Sequence, residues 1–185
     1  MKTLKSFFTF IFPILLFISC SKGNEHITRD LVTAAVPVGF TFPVITDPST
    51  STTITEVKGS TNLDSLISAA TNSEFNIEDI QSIKISALRL DVVNTDTTYN
   101  FRLLENLTVK LKSRTGVSNE LAKVNTNFDF IAPSLIVPIT GPEEELKDIF
   151  NGGNYTYELS GKVRRTTPVS FKATLTAQYR VTLAK

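Results

Sequence analysis

The C-terminal segment alternates between apolar and polar side chains more regularly than any other part of the chain. The apolar positions are Val169, Phe171, Ala173, Leu175, Ala177, Tyr179, Val181 and Leu183. A β-strand turns successive side chains to opposite faces, so this period of two predicts a long strand with one face on a core and one in water. Because a single strand cannot bury its apolar face alone, the chain must supply further strands.

Shorter segments with strand-like patterns precede this one. Pro37 and Pro43 place the first of them at a sheet edge, since proline lacks a backbone donor. A change of phase near Ala87 predicts a β-bulge. Gly161 interrupts the segment before the last strand, and residues 164–168 are predicted to join the two as a hairpin loop. The segments are 36–44, 54–57, 83–92, 107–111, 121–124, 135–139 and 155–163.

Two segments have helical features. The apolar residues between 63 and 70 are spaced three or four apart, and Thr61 or Asn62 is placed to cap that helix. Pro142 and the three glutamates after it predict a second helix start, because proline needs no donor there and carboxylates suit the positive end. Gly152–Gly153 is predicted to end that helix.

The segment 77–80 allows one more helical turn. About eight strands and two or three short helices predict an all-β fold, an antiparallel β-sandwich of immunoglobulin-like type. The stretch "LRLDVVNTDTTYNF", from Leu88 to Phe101, resembles the strand-ending-in-Asn motif of the sandwiches of the water-stress and late-embryogenesis-abundant type. The resemblance spans residues 83–183, although Thr95 follows Asn94 where that family has proline, and it implies a fold only.

The N-terminus has the pattern of a secretory signal peptide. Lys2 and Lys5 precede the apolar run "FFTFIFPILLFI" over residues 7–18. A membrane-spanning helix needs about 20 apolar residues. This run is shorter and contains Pro13, so it predicts a cleaved signal over residues 1–19 rather than a span, with a buried core helix as the alternative.

Ser19 and Cys20, the only cysteine of the chain, follow this run directly. The residues Phe17, Ile18, Ser19 and Cys20 resemble the lipobox of Gram-negative bacterial lipoproteins, with Phe17 where leucine is commonest. That resemblance implies a diacylglycerol on the Cys20 sulfur, cleavage before Cys20 and acylation of the new amino group. Two or more acyl chains anchor a protein stably. We therefore expect lipid anchoring at the outer membrane, on its periplasmic or surface side.

The remaining chain is predicted to contain a tether over residues 20–30 and a single domain over 31–185. The whole sequence has 19 basic and 18 acidic residues, without a block of like charge. Nucleic-acid binding needs a basic patch or stripe, so no nucleic-acid partner is expected. The membrane is instead expected to be contacted through the lipid on Cys20.

Few residues of the chain suit catalysis or metal binding. His26 is the only histidine and falls in the expected tether, which argues against a Ser-His-Asp triad or a zinc site. The oxygen-bearing side chains from Asn94 to Glu105 have part of a calcium-loop spacing. Tyr99 replaces the required glycine, so a simple Asn/Asp turn explains them. We expect no catalytic residue, metal or cofactor.

These observations favour a non-enzymatic lipoprotein that binds or scaffolds an envelope protein or a glycan. One alternative is a lipid-anchored hydrolase that uses two carboxylates. A second is a subunit of a surface fibre or adhesin that exchanges strands at the 36–44 edge. The candidate carboxylates for the hydrolase are Asp64, Glu78, Asp79, Asp91, Glu105 and Glu143–Glu145.

Overall fold

The computed structural model describes residues 27–143, 145–150 and 153–185. Nine strands, two α-helices and two 3-10 helices make up this part of the chain, the latter at Ile77–Asp79 and Phe101–Leu103. In chain order the strands and α-helices are β1 Thr28–Val32, β2 Val36–Phe42, β3 Thr52–Ser60, α1 Leu63–Thr71, β4 Ile80–Val92, β5 Leu104–Ser113, β6 Ser118–Val124, β7 Ser134–Ile136, α2 Lys147–Phe150, β8 Asn154–Val163 and β9 Phe171–Ala184.

The strands form two antiparallel sheets. In the first sheet, β1 and β2 lie one after the other along one side of β9, and β4 and then β7 continue from its other side. The second sheet has the order β3-β8-β5-β6. Buried apolar residues of both sheets form one core. The predicted all-β sandwich is confirmed.

Strand β9 lies in the middle of the first sheet. Every odd-numbered residue from Phe171 to Leu183 is buried, and the even-numbered side chains are half-buried or exposed. The predicted alternation is therefore confirmed over this range. The prediction for Val169 is wrong, because this side chain lies before the strand and is exposed. Two residues earlier, buried Thr167 accepts a hydrogen bond from the Ile45 N–H at 2.5 Å and holds the loop.

The predicted hairpin between the last two strands is wrong. Strand β8 pairs with β3 and β5, whereas β9 belongs to the other sheet, so residues 164–170 cross from one sheet to the other. Gly161 does not interrupt β8 either. A Cβ there would overlap the carbonyl oxygen of Asn106, where β5 is irregular. The missing side chain lets the two backbones approach closely.

A pair of tyrosines joins the sheets inside the core. The hydroxyl oxygens of Tyr157 in β8 and Tyr179 in β9 lie 2.6 Å apart, and both side chains are buried. Phe150 packs edge-on against the Tyr179 ring, with the ring centroids 4.8 Å apart. Burial raises the pKa of both tyrosine hydroxyls, because a phenolate would lose its hydration there.

The predictions for the other strands are largely confirmed. The register of β4 against β9 shifts between Ile85 and Ala87, where the bulge is predicted. Within the described residues β2 pairs with β9 alone, so it is an edge strand. The predicted alternation extends past the end of this strand, since β2 ends at Phe42. Beyond it Val44 is exposed and Ile45 is buried.

The first helix begins as predicted, with the Asn62 side chain accepting a hydrogen bond from the Ser65 N–H at 3.0 Å. The 3-10 helix at Ile77–Asp79 matches the predicted extra turn. Gly153 has a left-handed backbone and donates to the carbonyl of Phe150, as expected of a glycine after a helix.

The second helix does not begin at Pro142. It spans only Lys147–Phe150 and follows a turn. The reason is that Glu145 and Leu146 bind the edge of β4. One Glu145 carboxylate oxygen accepts the Ile83 N–H at 2.8 Å, and the Leu146 N–H donates to the Ile83 carbonyl at 2.8 Å.

The sandwich includes residues that were expected to be tether. Strand β1 begins at Thr28, so the last three residues of the segment 20–30 pair with β9. The domain boundary therefore lies earlier than residue 31. The pattern "TRDLV" carries no strand signal, because only Leu31 and Val32 of this strand are apolar. Backbone pairing with β9 holds these residues in a strand instead.

Candidate functional site

The sandwich has two ends, and the chain enters it at one of them. At the near end β1 begins beside the last residues of β9, with Thr28 opposite Ala184. At the far end β4 finishes beside the start of β9, with Val92 opposite Ala173. The 14 residues of β9 run between the ends. At about 3.3 Å per residue, they separate the two ends by roughly 45 Å.

The far end carries a loop with exposed aromatic side chains. We call residues 125–133, between β6 and β7, the aromatic loop. Phe128 and Phe130 are 71% and 58% exposed, and their ring centroids lie 5.9 Å apart at an interplanar angle of 24°. Ile131 in the same loop is 46% exposed, and Ile136 in β7 is 75% exposed. Exposed aromatic side chains in contact with each other, such as Phe128 and Phe130, are characteristic of interaction surfaces.

A buried asparagine holds the start of the aromatic loop. The Asn127 side-chain amide donates to the carbonyls of Phe101 at 2.8 Å and Leu104 at 3.2 Å. Its backbone N–H donates to the Glu105 carbonyl at 2.8 Å, and Arg164 donates to its carbonyl oxygen. These four bonds fix the backbone immediately before the first exposed phenylalanine.

Between the two phenylalanines, Asp129 binds two arginines. Its carboxylate accepts hydrogen bonds from Arg102 Nε at 3.1 Å and from Arg165 Nη2 at 2.8 and 3.0 Å. The hydrogen bond from Arg102, helped by the charge of Arg165, holds the pKa of Asp129 below its usual value. Exposed ion pairs contribute little stability. Here they connect the middle of the aromatic loop to Arg102 and Arg165.

The end of the aromatic loop is bound to neighbouring backbone. The carbonyl of Ala132 accepts the Phe101 N–H at 3.0 Å, and that of Pro133 accepts the Val92 N–H at 2.8 Å. The loop is therefore held at its start, middle and end while its phenylalanines face solvent. A surface ordered before binding loses little conformational entropy when a partner docks.

The aromatic loop was not predicted from the sequence. Its signal is the stretch "NFDF", residues 127–130, in which two phenylalanines flank a charged residue. That alternation alone is equally compatible with a strand that buries both rings. The exposure follows from contacts with Phe101, Arg102 and Arg165, which are distant in sequence.

The residues with partial calcium-loop spacing form a turn. One Asp96 carboxylate oxygen accepts the N–H groups two and three positions later, at 2.6 and 2.7 Å. Asn94 has a left-handed backbone. Glu105 lies in β5 and pairs with Lys162 at 3.1 Å. Among the described residues, no three His, Cys, Asp or Glu side chains form a group that could hold a metal ion.

The candidate carboxylates of a hydrolase are divided between the two ends. Asp64 and Asp79 lie near α1 at the near end, whereas Asp91 and Glu105 lie at the far end. Most of these acids have structural partners, and Glu144 lies outside the described residues. The contacts are Asp64 with the Ile77 N–H, Asp79 with the Asn76 N–H, Asp91 with Arg89, Glu105 with Lys162 and Glu143 with Lys84.

Cys20, the predicted lipidation site, and His26 lie outside the described residues. Among the described residues, no helix has the length and apolar character needed to cross a membrane. No protein-family model matches the chain. The search of curated proteins likewise finds no match.

Proposed function

We propose that this protein is a lipid-anchored, non-enzymatic binding module of the bacterial cell envelope. The lipid on Cys20 would hold the near end of the sandwich at the outer membrane, and the aromatic loop at the far end would bind a partner protein. The observation that carries the proposal is this opposition: the chain enters the sandwich at Thr28, and Phe128 and Phe130 are exposed at the other end.

The dimensions of the chain support this arrangement. Six residues lie between Cys20 and Ile27, so seven residue steps join them, and an extended chain of that length spans at most about 25 Å. The sandwich adds roughly 45 Å between its ends. A domain tethered at the near end therefore turns the aromatic loop away from the bilayer, where it can meet a second protein.

The chemistry of the exposed surface favours a protein over a glycan. The large exposed side chains of the aromatic loop are Phe128, Phe130 and Ile131, none of which has a polar group to bond sugar hydroxyls. Aromatic side chains are enriched at the centres of protein interfaces and act there as anchors. The exposed Arg102–Asp129–Arg165 cluster supplies the polar groups expected around such anchors.

The two alternative functions receive less support. A retaining or inverting glycosidase needs two facing carboxyl groups with different pKa values, and the candidate acids are divided between the two ends. Strand exchange needs an edge rich in backbone donors, whereas β2 contains Pro37 and Pro43 follows its end.

The binding role is tested by cross-linking in cells. A photo-reactive phenylalanine analogue replaces Phe128 in one variant and Val117, an exposed residue of the near-end hairpin, in a matched control. We expect Phe128 to give a discrete adduct with one envelope protein, which Phe130→Ser removes. Identical adducts from both positions would contradict the proposal.

The anchor is tested separately. Cys20→Ala is expected to leave the protein without lipid and to move it to the soluble fraction, because the acyl chains supply the membrane affinity. Mass spectrometry of the wild-type mature chain checks the modification directly. An unmodified Cys20 would remove the basis for membrane anchoring.

A further inference from the structure

An apolar groove of about 310 Å³ lies at the near end, between β1 and α1. Its walls are aliphatic, with Leu31 of β1, Leu66, Ile67 and Ala70 of α1, and Val181 of β9 among them. Within the described part of the chain, no charged or aromatic side chain lines it. The hydroxyl of Thr33 in its wall accepts a hydrogen bond from the Tyr179 N–H at 3.1 Å. The groove therefore offers a mainly apolar surface.

This lining suits a flexible hydrocarbon chain. A charged or hydroxylated ligand would lose its hydration in the groove without gaining matching hydrogen bonds. The volume is at the lower end of the range for ligand sites. Val32 and Leu66 at its rim are partly or largely exposed, so an occupant would remove apolar surface from water.

We propose that one acyl chain of the lipid on Cys20 occupies this groove. The inference rests on the proposed lipid anchor. Leu31 is eleven residues from Cys20 in sequence, and the seven residues before Ile27 alone reach about 25 Å when extended. The groove lies at the end of the sandwich where the chain continues toward Cys20, so the lipid can return to it.

The exchange between bilayer and groove is favourable for simple reasons. A diacylglycerol and an N-acyl group together provide three chains, and two suffice for stable anchoring. The third chain leaves one apolar environment for another, which costs little. Docking also removes the apolar surface of the groove walls from water. Docking would also fix the near end against the membrane and so direct the aromatic loop outward.

The cysteine content of the chain permits a direct test. Lipidation consumes the thiol of Cys20, the only cysteine, so an introduced cysteine is then the single reactive thiol. Ala70→Cys puts this thiol in the groove. Ser65→Cys puts it at an exposed position of α1 outside the groove and serves as the control. Both variants are prepared as lipidated protein in vesicles of phosphatidylethanolamine and phosphatidylglycerol. Each is also prepared in a Cys20→Ala background, which carries no lipid.

The readout is the rate of maleimide labelling. A groove filled nine-tenths of the time should slow Ala70→Cys labelling about tenfold in the lipidated protein relative to the Cys20→Ala form. Ser65→Cys should label equally in both. Added palmitate should slow Ala70→Cys labelling in the Cys20→Ala form, as expected if the groove accepts an acyl chain.

The outcomes separate this inference from the proposed function. A lipidated Cys20 with fast labelling of Ala70→Cys overturns the groove assignment and leaves the anchor standing. Protection by added palmitate alone would mean that the groove takes a free acyl chain rather than the attached one, which also overturns it. An unmodified Cys20 in the mass spectrum removes both proposals.

Discussion

Two glycines in strands of the sandwich should respond oppositely to the same substitution. In Gly161→Ala, the new Cβ would overlap the carbonyl oxygen of Asn106 and would lie 3.2 Å from its carbonyl carbon and from Leu107 Cα. All three atoms belong to backbone, so no side chain can rotate away, and β5 must shift against β8. Overpacking of this kind costs about 1 to 3 kcal/mol of unfolding free energy.

Gly39→Ala is the matched control. Gly39 lies in β2, its φ is outside the left-handed region, and its added Cβ would have no atom within 4 Å. Alanine restricts the unfolded chain more than glycine does, so this variant should be neutral or more stable by about 0.4 to 1 kcal/mol.

Urea unfolding of both variants, followed by circular dichroism, measures the difference. At unchanged slope, the midpoint should fall for Gly161→Ala and should stay or rise for Gly39→Ala. Equal stability of the two variants would mean that β5 and β8 do not approach closely at Gly161. The explanation of why glycine occurs inside β8 would then be wrong.

Three further predictions concern the core and the aromatic loop. Leu175→Ala should lower the free energy of unfolding in urea by about 2 to 5 kcal/mol, because its side chain is fully buried. Thr176→Ala on the outer face should lower it by about 0.5 kcal/mol or less. Similar losses in both variants would contradict the assignment of the two faces of β9. Asn127→Ala should cost about 1 to 3 kcal/mol, because the Leu104 carbonyl loses the amide donor and the Phe101 carbonyl keeps only its bond from the Leu104 N–H. The variant should also speed hydrogen exchange of the aromatic loop; unchanged exchange would show that the amide does not hold it. Because the pKa of Asp129 is lowered on folding, its pairing with arginine should persist at about pH 4, where a free aspartate is half protonated, and be lost as the pH falls through the lowered pKa; carboxyl NMR titration checks this, and a midpoint above that of a free aspartate would contradict it.

The parts of the fold predicted from sequence are those that local periodicity determines. The buried positions of β9, the bulge of β4 near Ala87 and the cap of α1 at Asn62 each depend on residues within a few positions. Alternation does not mark where pairing stops, which is why Val44 and Val169 fit the strand patterns and are nevertheless exposed.

Errors of another kind come from contacts distant in sequence. A loop of the length of 164–170 is compatible with a hairpin or with a crossing between sheets, and only the pairing of β8 with β3 and β5 decides. Glu145 has the sequence context of a helix start, but its partner, the Ile83 N–H, is far away in the chain. The aromatic loop was not predicted for the same reason, since the exposure of its phenylalanines depends on contacts with Arg102 and Arg165.

The central position of β9 also sets the order in which this protein can fold. Three strands, β1, β2 and β4, pair with β9, which is the last strand of the sandwich to leave the ribosome. Because Thr28 pairs with Ala184, the first sheet cannot be completed until β9 has been synthesised. Such distant pairing makes folding slow. If the chain is exported as proposed above, this folding order keeps it open while it passes through a translocation channel, and the fold would be completed only on the far side.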